Sequence, residues 1–312
     1  MFMIVALACG CGSDRADSNN DNPDGGPIDV SGLSYAECEA TERVGGFSVN
    51  LEPKFTAAGG RVSNGVSPLG ALETITAIGQ CQHARALVPF CDPGCVGLEV
   101  CGIDSVCRPA PSNQTVGNVT IRGLKAAVEM EPRPPAFNYS QLGTLPHPAF
   151  DLAAPIELTS DGGSYAPLSL LGWGVVPIEL TDKNVPVAAG SALQVNWKPM
   201  PQSGPTMVRI VLNINLHGTA AGTRISCLVE DNGSFSIPEP LMTSLVNDGL
   251  SGFPTLTLTR ASSDRARIEP GCVDFKVETR TSIQVSIDGL TSCSNDDDCV
   301  APETCQADLT CG

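Results

Sequence analysis

The sequence predicts a mainly β chain: an antiparallel β-sandwich carrying small disulfide-rich modules and one or two short helices. Three observations predict it. The segment TMVRIVLNINL alternates strictly, with Val208, Ile210, Leu212, Ile214 and Leu216 on one face and Arg209, Asn213 and Asn215 on the other. That is the period of a half-buried strand. Short apolar runs of this kind recur between Gly, Pro and Asn turns, with no βαβ alternation. Finally, six of the 14 cysteines fall into two copies of one spacing. Cys95, Cys101 and Cys107 stand in CVGLEVCGIDSVC, and Cys299, Cys305 and Cys311 stand in CVAPETCQADLTC.

The chain opens on MFMIVALACGCGSD, an apolar run ending in small residues and cysteine. Residues 1–11 resemble the end of a bacterial lipoprotein signal peptide, where cleavage leaves a lipid-modified cysteine first. Cys9 follows Ala8 and Cys11 follows Gly10, and both small residues suit cleavage. Cleavage before Cys11 discards Cys9 and leaves an even set of twelve further cysteines, so Cys11 is the expected lipidation site and Cys9 the alternative. The basic n-region of an export signal is missing, which suggests a start codon assigned too far downstream. The run is also shorter than the roughly 20 residues of a membrane span. An ordinary secretory signal without lipid is the competing reading. Residues 12–34, polar, acidic and rich in Asn, Gly and Pro, read as a flexible tether.

Residues 35–107 read as a small α+β segment. FSVNLEP and GGRVSNGV are expected strands. PLGALETITAI is an expected helix, with Ser67 as N-cap, Pro68 in the first turn, Gly79 past the end, and Leu69, Leu72, Ile75 and Thr76 as its buried stripe. The first cysteine module closes the segment, and residues 108–115 are a linker. From 116 to 290 strands dominate: NVTIRGL, PIELTS, ALQVNWK, RISCLVE, TLTLTR, VDFKVE and SIQVSI. Trp197 shares a face with Leu193 and Val195 and reads as a core residue. One further helix is expected at PEPLMTSLVNDG, with Pro240 in its first turn and Gly249 past its end. Residues 291–312 are the second cysteine module.

The cysteine spacing excludes zinc knuckles, because the gaps are three or five residues and no CxxC exists. Disulfides in an oxidising compartment account for it better. Neighbours five apart would make tight loops, so crossed pairing is expected inside each module: Cys91–Cys101 with Cys95–Cys107, and Cys293–Cys305 with Cys299–Cys311. That leaves Cys38–Cys81 for the first segment and Cys227–Cys272 for the sandwich.

WGVVPIEL, LQVNWKP, ISCLVEDNGSFSIPEPL and GFPTLTLTR, followed by the cysteine-rich end, resemble predicted envelope lipoproteins of myxobacteria and their relatives. The likeness runs from about Gly46 to the end. It implies an outer-membrane lipoprotein and supplies no activity. LQVNWKP is also similar to strands of immunoglobulin-like and fibronectin type III domains, which concerns fold only.

The formal charge of −16, from 34 acids and 18 bases, excludes nucleic acid as a natural partner. No GxSxG, HExxH, GxxxxGK[ST] or GxGxxG motif is present. His83, His147 and His217 lie far apart, and His217, in NLHGTAAG, follows a strong strand with no visible partner. NDDDC at 295–299 lacks the alternate spacing of a calcium loop and reads as an acidic turn. The sequons at Asn113, Asn118, Asn138 and Asn232 read as chance matches. No catalytic residue, metal or cofactor is assigned. Two functions stay open: a lipid-anchored envelope protein that binds a glycan or a protein, or an extracytoplasmic hydrolase or its accessory subunit.

Overall fold

A computed structural model describes residues 26–202, 204–215 and 222–312. Its strands, in chain order, are β1 (Arg43–Leu51), β2 (Thr56–Ser63), β3 (Leu72–Ile78), β4 (Cys81–Ala86), β5 (Glu99–Cys101), β6 (Cys107–Pro109), β7 (Asn113–Gln114), β8 (Val119–Arg122), β9 (Val128–Met130) and β10 (Tyr139–Ser140). They continue with β11 (Pro155–Ser160), β12 (Ser169–Trp173), β13 (Pro186–Val187), β14 (Leu193–Asn196), β15 (Thr206–Asn213), β16 (Thr223–Glu230), β17 (Ser234–Ile237), β18 (Thr255–Ile268), β19 (Gly271–Gln284) and β20 (Ser286–Ile287). The one α-helix among the described residues is α1 (Glu239–Asn247).

The chain is mainly β, as the periodicity predicts. One ten-stranded sheet dominates, in the order β10-β2-β1-β19-β18-β15-β16-β4-β3, with β7 also on β2. Most of its neighbours are antiparallel; β1 and β19 run parallel. One face of this sheet carries two separate apolar cores. Over its β2-β1-β19 part lies the sheet β12-β11-β8-β9, enclosing Phe47, Val49, Ile121, Ile156, Leu158, Phe275 and Val277. Over its β18-β15-β16-β4 part lie the β14–β17 and β13–β20 pairs and α1, enclosing Trp197, Val208, Ile210, Leu212, Ile225, Leu241 and Leu258. Side chains large and apolar at alternate positions make each covered strand half-buried, and that alternation recruits its cover.

β18 and β19, 14 residues each, are long enough to serve both cores. Leu256 and Leu258 of β18 face the second core, while Ala266 and Ile268 pack on the first. Between them the inner face turns polar at Arg260, Ser262 and Asp264. Ser262 and Asp264 satisfy the edge of β12: Trp173 N donates to Ser262 Oγ (2.8 Å), Ser262 Oγ donates to Trp173 O (3.1 Å), and Leu171 N donates to Asp264 Oδ2 (2.9 Å). Buried backbone groups need such partners.

Arg260 is fully buried. Its Nε and Nη2 donate to Asp231 Oδ2 (2.6 Å) and Oδ1 (3.1 Å), its Nη1 to the carbonyls of Val176 (3.1 Å) and Pro177 (3.3 Å), and its Nη2 also to Lys198 O. All five guanidinium donors are thereby used. Asp231 Oδ1 also accepts from Trp197 Nε1 (2.8 Å). One side chain thus ties three loops to the middle of β18.

The expected division into a segment ending at 107 and a sandwich starting at 116 does not hold. β1 to β4 lie in the same sheet as β15, β16, β18 and β19. The expected linker is pinned too, since β7 pairs with the edge of β2. The expected helix over 68–79 is a hairpin strand, β3. Thr74, Ile75, Thr76 and Ile78 are β-branched and favour extended backbone. Gly79, at φ +59°, opens the two-residue turn into β4 where a helix end was expected. Ser67 Oγ accepts from Leu69 N (3.3 Å) in a local turn. The helix expected at 238–249 is present as α1, with Pro240 in its first turn and Gly249 at φ +113° beyond its end. β15 stops at Asn213, and Asn215, expected outward, is buried with its amide on Thr223.

The expected tether over 12–34 also ends sooner. Ile28, Val30 and Leu33 are half-buried, and Leu33 N closes a turn on Val30 O (2.9 Å). The strap then crosses the outer face of the large sheet. Ala36 N donates to Ser263 O (2.9 Å), and Ser263 Oγ donates to Ala36 O (2.7 Å). Glu37 accepts from Tyr35 Oη (2.6 Å) and Lys276 Nζ (2.7 Å) and pairs with Arg209. Burial alone would raise the Glu37 carboxyl, but Lys276 and Arg209 outweigh it and hold it below the usual carboxylate range.

The twelve cysteines among the described residues form six disulfides. Inside the modules the pairs are Cys91–Cys101, Cys95–Cys107, Cys293–Cys305 and Cys299–Cys311. The long-range pairs exchange partners relative to expectation: Cys38 bonds Cys272, and Cys81 bonds Cys227. Strand order is the reason. β4 lies beside β16, where Cys81 and Cys227 face each other with Cα atoms 4.0 Å apart. Cys38 precedes β1, which lies beside β19 and Cys272.

Arg260→Ala leaves Asp231 buried without its counter-charge and is expected to lower unfolding free energy by about 3–5 kcal/mol, read from urea denaturation with disulfides intact. Arg267→Ala, at an exposed side chain, is expected to change it by less than about 0.5 kcal/mol. Peptide mapping without reduction is expected to recover Cys38–Cys272 and Cys81–Cys227; a Cys38–Cys81 peptide would contradict the sheet order.

Candidate functional site

Four loops at one end of the first core form a shallow, solvent-open cleft of about 780 Å³. Thr41 and Glu42 come from the approach to β1, Asn64 from the end of β2, Ser164 and Tyr165 from the β11–β12 loop, and residues 267–271 from the β18–β19 turn. Tyr165 packs its ring against the first core and donates its hydroxyl to Ser63 O (3.2 Å). Burial raises the pKa of that phenol, so it stays a neutral donor. Asn64 is held by Ser112, through Asn64 N to Ser112 O (3.0 Å) and Ser112 N to Asn64 Oδ1 (2.8 Å). Arg267 pairs with Glu42 at 3.2 Å while staying largely exposed, and Glu269 adds a second carboxylate. Beside one aromatic ring the cleft therefore offers mixed-sign hydrogen-bonding groups. That suits a polar ligand held by hydrogen bonds.

Neither described histidine lines this cleft. His217, Cys9 and Cys11 lie outside the described residues. His147 Nδ1 contacts Thr56 Oγ1 at 3.2 Å, beside the first core. His83 is completely buried on β4 beneath α1. Its Nδ1 contacts Ser244 Oγ (3.0 Å), and its Nε2 lies 3.1 Å from Asp248 Oδ2 in an arrangement too poorly aligned for a hydrogen bond. Ser, His and Asp thus stand together. However, Ser244 and Asp248 are one turn apart at the carboxyl end of α1, where backbone carbonyls and not N–H groups point outward. An oxyanion needs donors there. The trio instead fastens α1 to β4.

Two carboxylates of the acidic turn at 295–299 are engaged by backbone N–H groups of the module. Asp298 Oδ2 accepts from Ser294 N (2.7 Å) and Asn295 N (3.3 Å), and Asp296 Oδ1 accepts from Cys305 N (2.9 Å). Asn295 caps the turn, accepting from Asp297 N (2.9 Å). The Asn113 amide, in a sequon, is engaged by Ala136 O (2.8 Å) and Asn138 Oδ1 (3.0 Å). Trp197 is a core residue, 2% exposed.

Sequence reasoning did not single out the cleft. Its polar residues belong to four loops that are distant in sequence, and none stands in a motif.

Burial holds the His83 pKa below the ordinary value of about 6.5, against an opposing pull from Asp248. The folded state thus binds this proton less readily than the unfolded chain. The resulting stability is present above the unfolded pKa and lost as pH falls toward the folded one. Glu278, whose carboxyl burial raises, works in the opposite sense. The His83 contribution is therefore the difference between wild type and His83→Gln. Urea midpoints measured from pH 8 to 5 are expected to fall more steeply in wild type below about pH 6.5.

The sequence matches no protein-family model and no curated protein. Among solved structures, the crystal structure of chicken CNTN1 FN1–FN3 domains is 7% identical, covers 72% of this chain and 69% of its own, and has a TM-score of 0.18. At that score the likeness carries no weight for fold or function.

Proposed function

We propose that this chain is a lipid-anchored, exported protein of the cell envelope that works by binding or by structure. The observation that carries the reading is the set of six disulfides, which belongs to an oxidising compartment. The apolar opening of the sequence and its Cys11 supply the anchor, and the resemblance to envelope lipoproteins assigns it to the outer membrane. The cleft between Glu42, Tyr165 and Arg267 is the ligand surface we assign. Its neutral hydroxyl, amide and paired charges suit the hydroxyls of a glycan or the backbone of a peptide.

Labelling with a fatty-acid lipid precursor, in cells expressing the protein from its own gene, tests the anchor. Label and membrane fractionation are expected together in wild type. Both are expected to be lost in Cys11→Ala and kept in Cys9→Ala. An unlabelled wild-type protein in the soluble fraction would overturn the reading.

A further inference from the structure

Arg224 on β16 departs from the rule that Arg260 obeys. Arg260 uses every donor it has. Among the described residues, none of the Arg224 guanidinium donors meets an acceptor and no carboxylate pairs with it. The other described bases without a carboxylate partner are Lys54, Arg61, Arg133, Lys183 and Arg265, and all five are exposed. Arg224 is half-buried. A charge partly withdrawn from water without a counter-ion is costly. A chain with 34 acids nonetheless leaves this one unanswered.

Arg224 stands on the outer face of the large sheet. The β15–β16 register, which pairs Leu212 with Ile225, brings Asn213 beside it at the next position. Gln82 of β4 lies opposite Ser226 and so diagonal to Arg224, within reach of a long side chain. Arg209 shares the face and donates to Ser226 Oγ (3.4 Å). Its carboxylate partner, Glu37, also serves Lys276. One negative charge thus answers two positive ones, and Arg224 adds a third. Burial, and then the charge of Arg209, hold the Arg224 pKa below the ordinary guanidinium value.

The side chains also agree in what they turn outward. Arg224 Nε and Asn213 Oδ1 are buried without partners, whereas Arg224 Nη1 and Nη2 and Asn213 Nδ2 are not buried. Gln82 Oε1 accepts from Thr74 Oγ1 (3.2 Å), which leaves Gln82 Nε2 free to donate. The open polar groups of Arg224, Asn213 and Gln82 are therefore all donors.

We propose that Arg224, Asn213 and Gln82 form a binding site for an oxyanion, the phosphate or carboxylate group of a ligand, with Arg209 adding positive charge. The guanidinium fork takes two oxygens and the amides take the others. This site is separate from the cleft, whose residues come from loops beside the first core, and it does not depend on the lipid anchor.

Titration of the oxidised full chain, labelled with nitrogen-15 arginine, tests this. Inorganic phosphate and acetate are the probes, against sodium chloride at equal ionic strength, and the Nε–Hε resonances of Arg224 and Arg209 are read. Phosphate is expected to shift both saturably, and the tighter of the two probes names the group. Arg224→Gln is expected to weaken the shift at Arg209 at least about tenfold. Arg133→Gln, at an exposed base, is expected to leave it unchanged. If Arg224→Gln loses its native disulfide map, Arg224→Lys, which keeps the charge and loses the fork, must weaken binding with that map intact. Shifts no larger than those of chloride, or binding indifferent to both Arg224 substitutions, overturn the proposal. So does a shift of the Arg224 resonance, without any probe, on changing Asp14, Asp17, Asp21 and Asp24 to Asn, because the chain's own carboxylates would then be the occupants.

Discussion

The buried Arg260–Asp231 pair is the constraint on which the rest of the sheet depends. A charge removed from water costs several kcal/mol unless its partners are all in place. Here they are supplied by the Asp231 carboxylate and by backbone carbonyls of two further loops, at 176–177 and 198. Each loop must therefore arrive together for the guanidinium to be satisfied. The position matters as much as the chemistry. Arg260 stands on β18 between Leu258 of the second core and the polar stretch that receives β12. Hydrophobic burial drives each core but does not fix how far it extends along a strand, being non-directional. A directed, fully used hydrogen-bonding group at the boundary does fix it.

Much of this fold was legible in the sequence. The alternation in β15 is strong because the strand buries one face fully and leaves the other half-exposed. α1 was legible because Pro240 and Gly249 punctuate it at both ends. β3 reads as a helix because Ser67, Pro68 and Gly79 serve turns as well as helix ends, and only the β-branched run between them separates the two cases. The domain division failed because sheet order is not sequence order. Nothing in FSVNLEP says that its neighbour is VDFKVE, more than 200 residues away. The same blindness exchanged the partners of Cys38, Cys81, Cys227 and Cys272. The crossed pairs inside the modules were within reach because their geometry is local. The cleft was not, because hydrogen-bonding loop residues acquire a site only from their assembly.

The two cysteine modules share spacing and pairing but are placed differently. The second is seated on the body: Gly252 N donates to Asp308 O (2.7 Å), and Phe253 N donates to Ser292 Oγ (2.8 Å). A Cβ on Gly252 would lie 2.0 Å from Leu309 O, so that contact requires glycine. Both modules turn the valine after their first repeat cysteine to solvent, Val96 at 74% and Val300 at 80% exposed, and the first adds Leu98 at 90%. A disulfide framework can keep such side chains outside a core, because its order does not come from burying them. One covalent scaffold thus serves as a closing plug in one place and as a projecting knob in another.

The Cys38–Cys272 bond has a mechanical meaning. The strap enters the body at one strand of the large sheet and is bonded to another, β19, near the sheet's centre. Tension applied at the amino terminus passes through residues 26–37 and meets this covalent link before it can act on β1. Peeling β1 from its neighbours, the weakest mode for a strand held by hydrogen bonds loaded one at a time, is therefore shielded. The force is delivered to β19, which β1 and β18 grip from both sides and which must be sheared lengthwise to move.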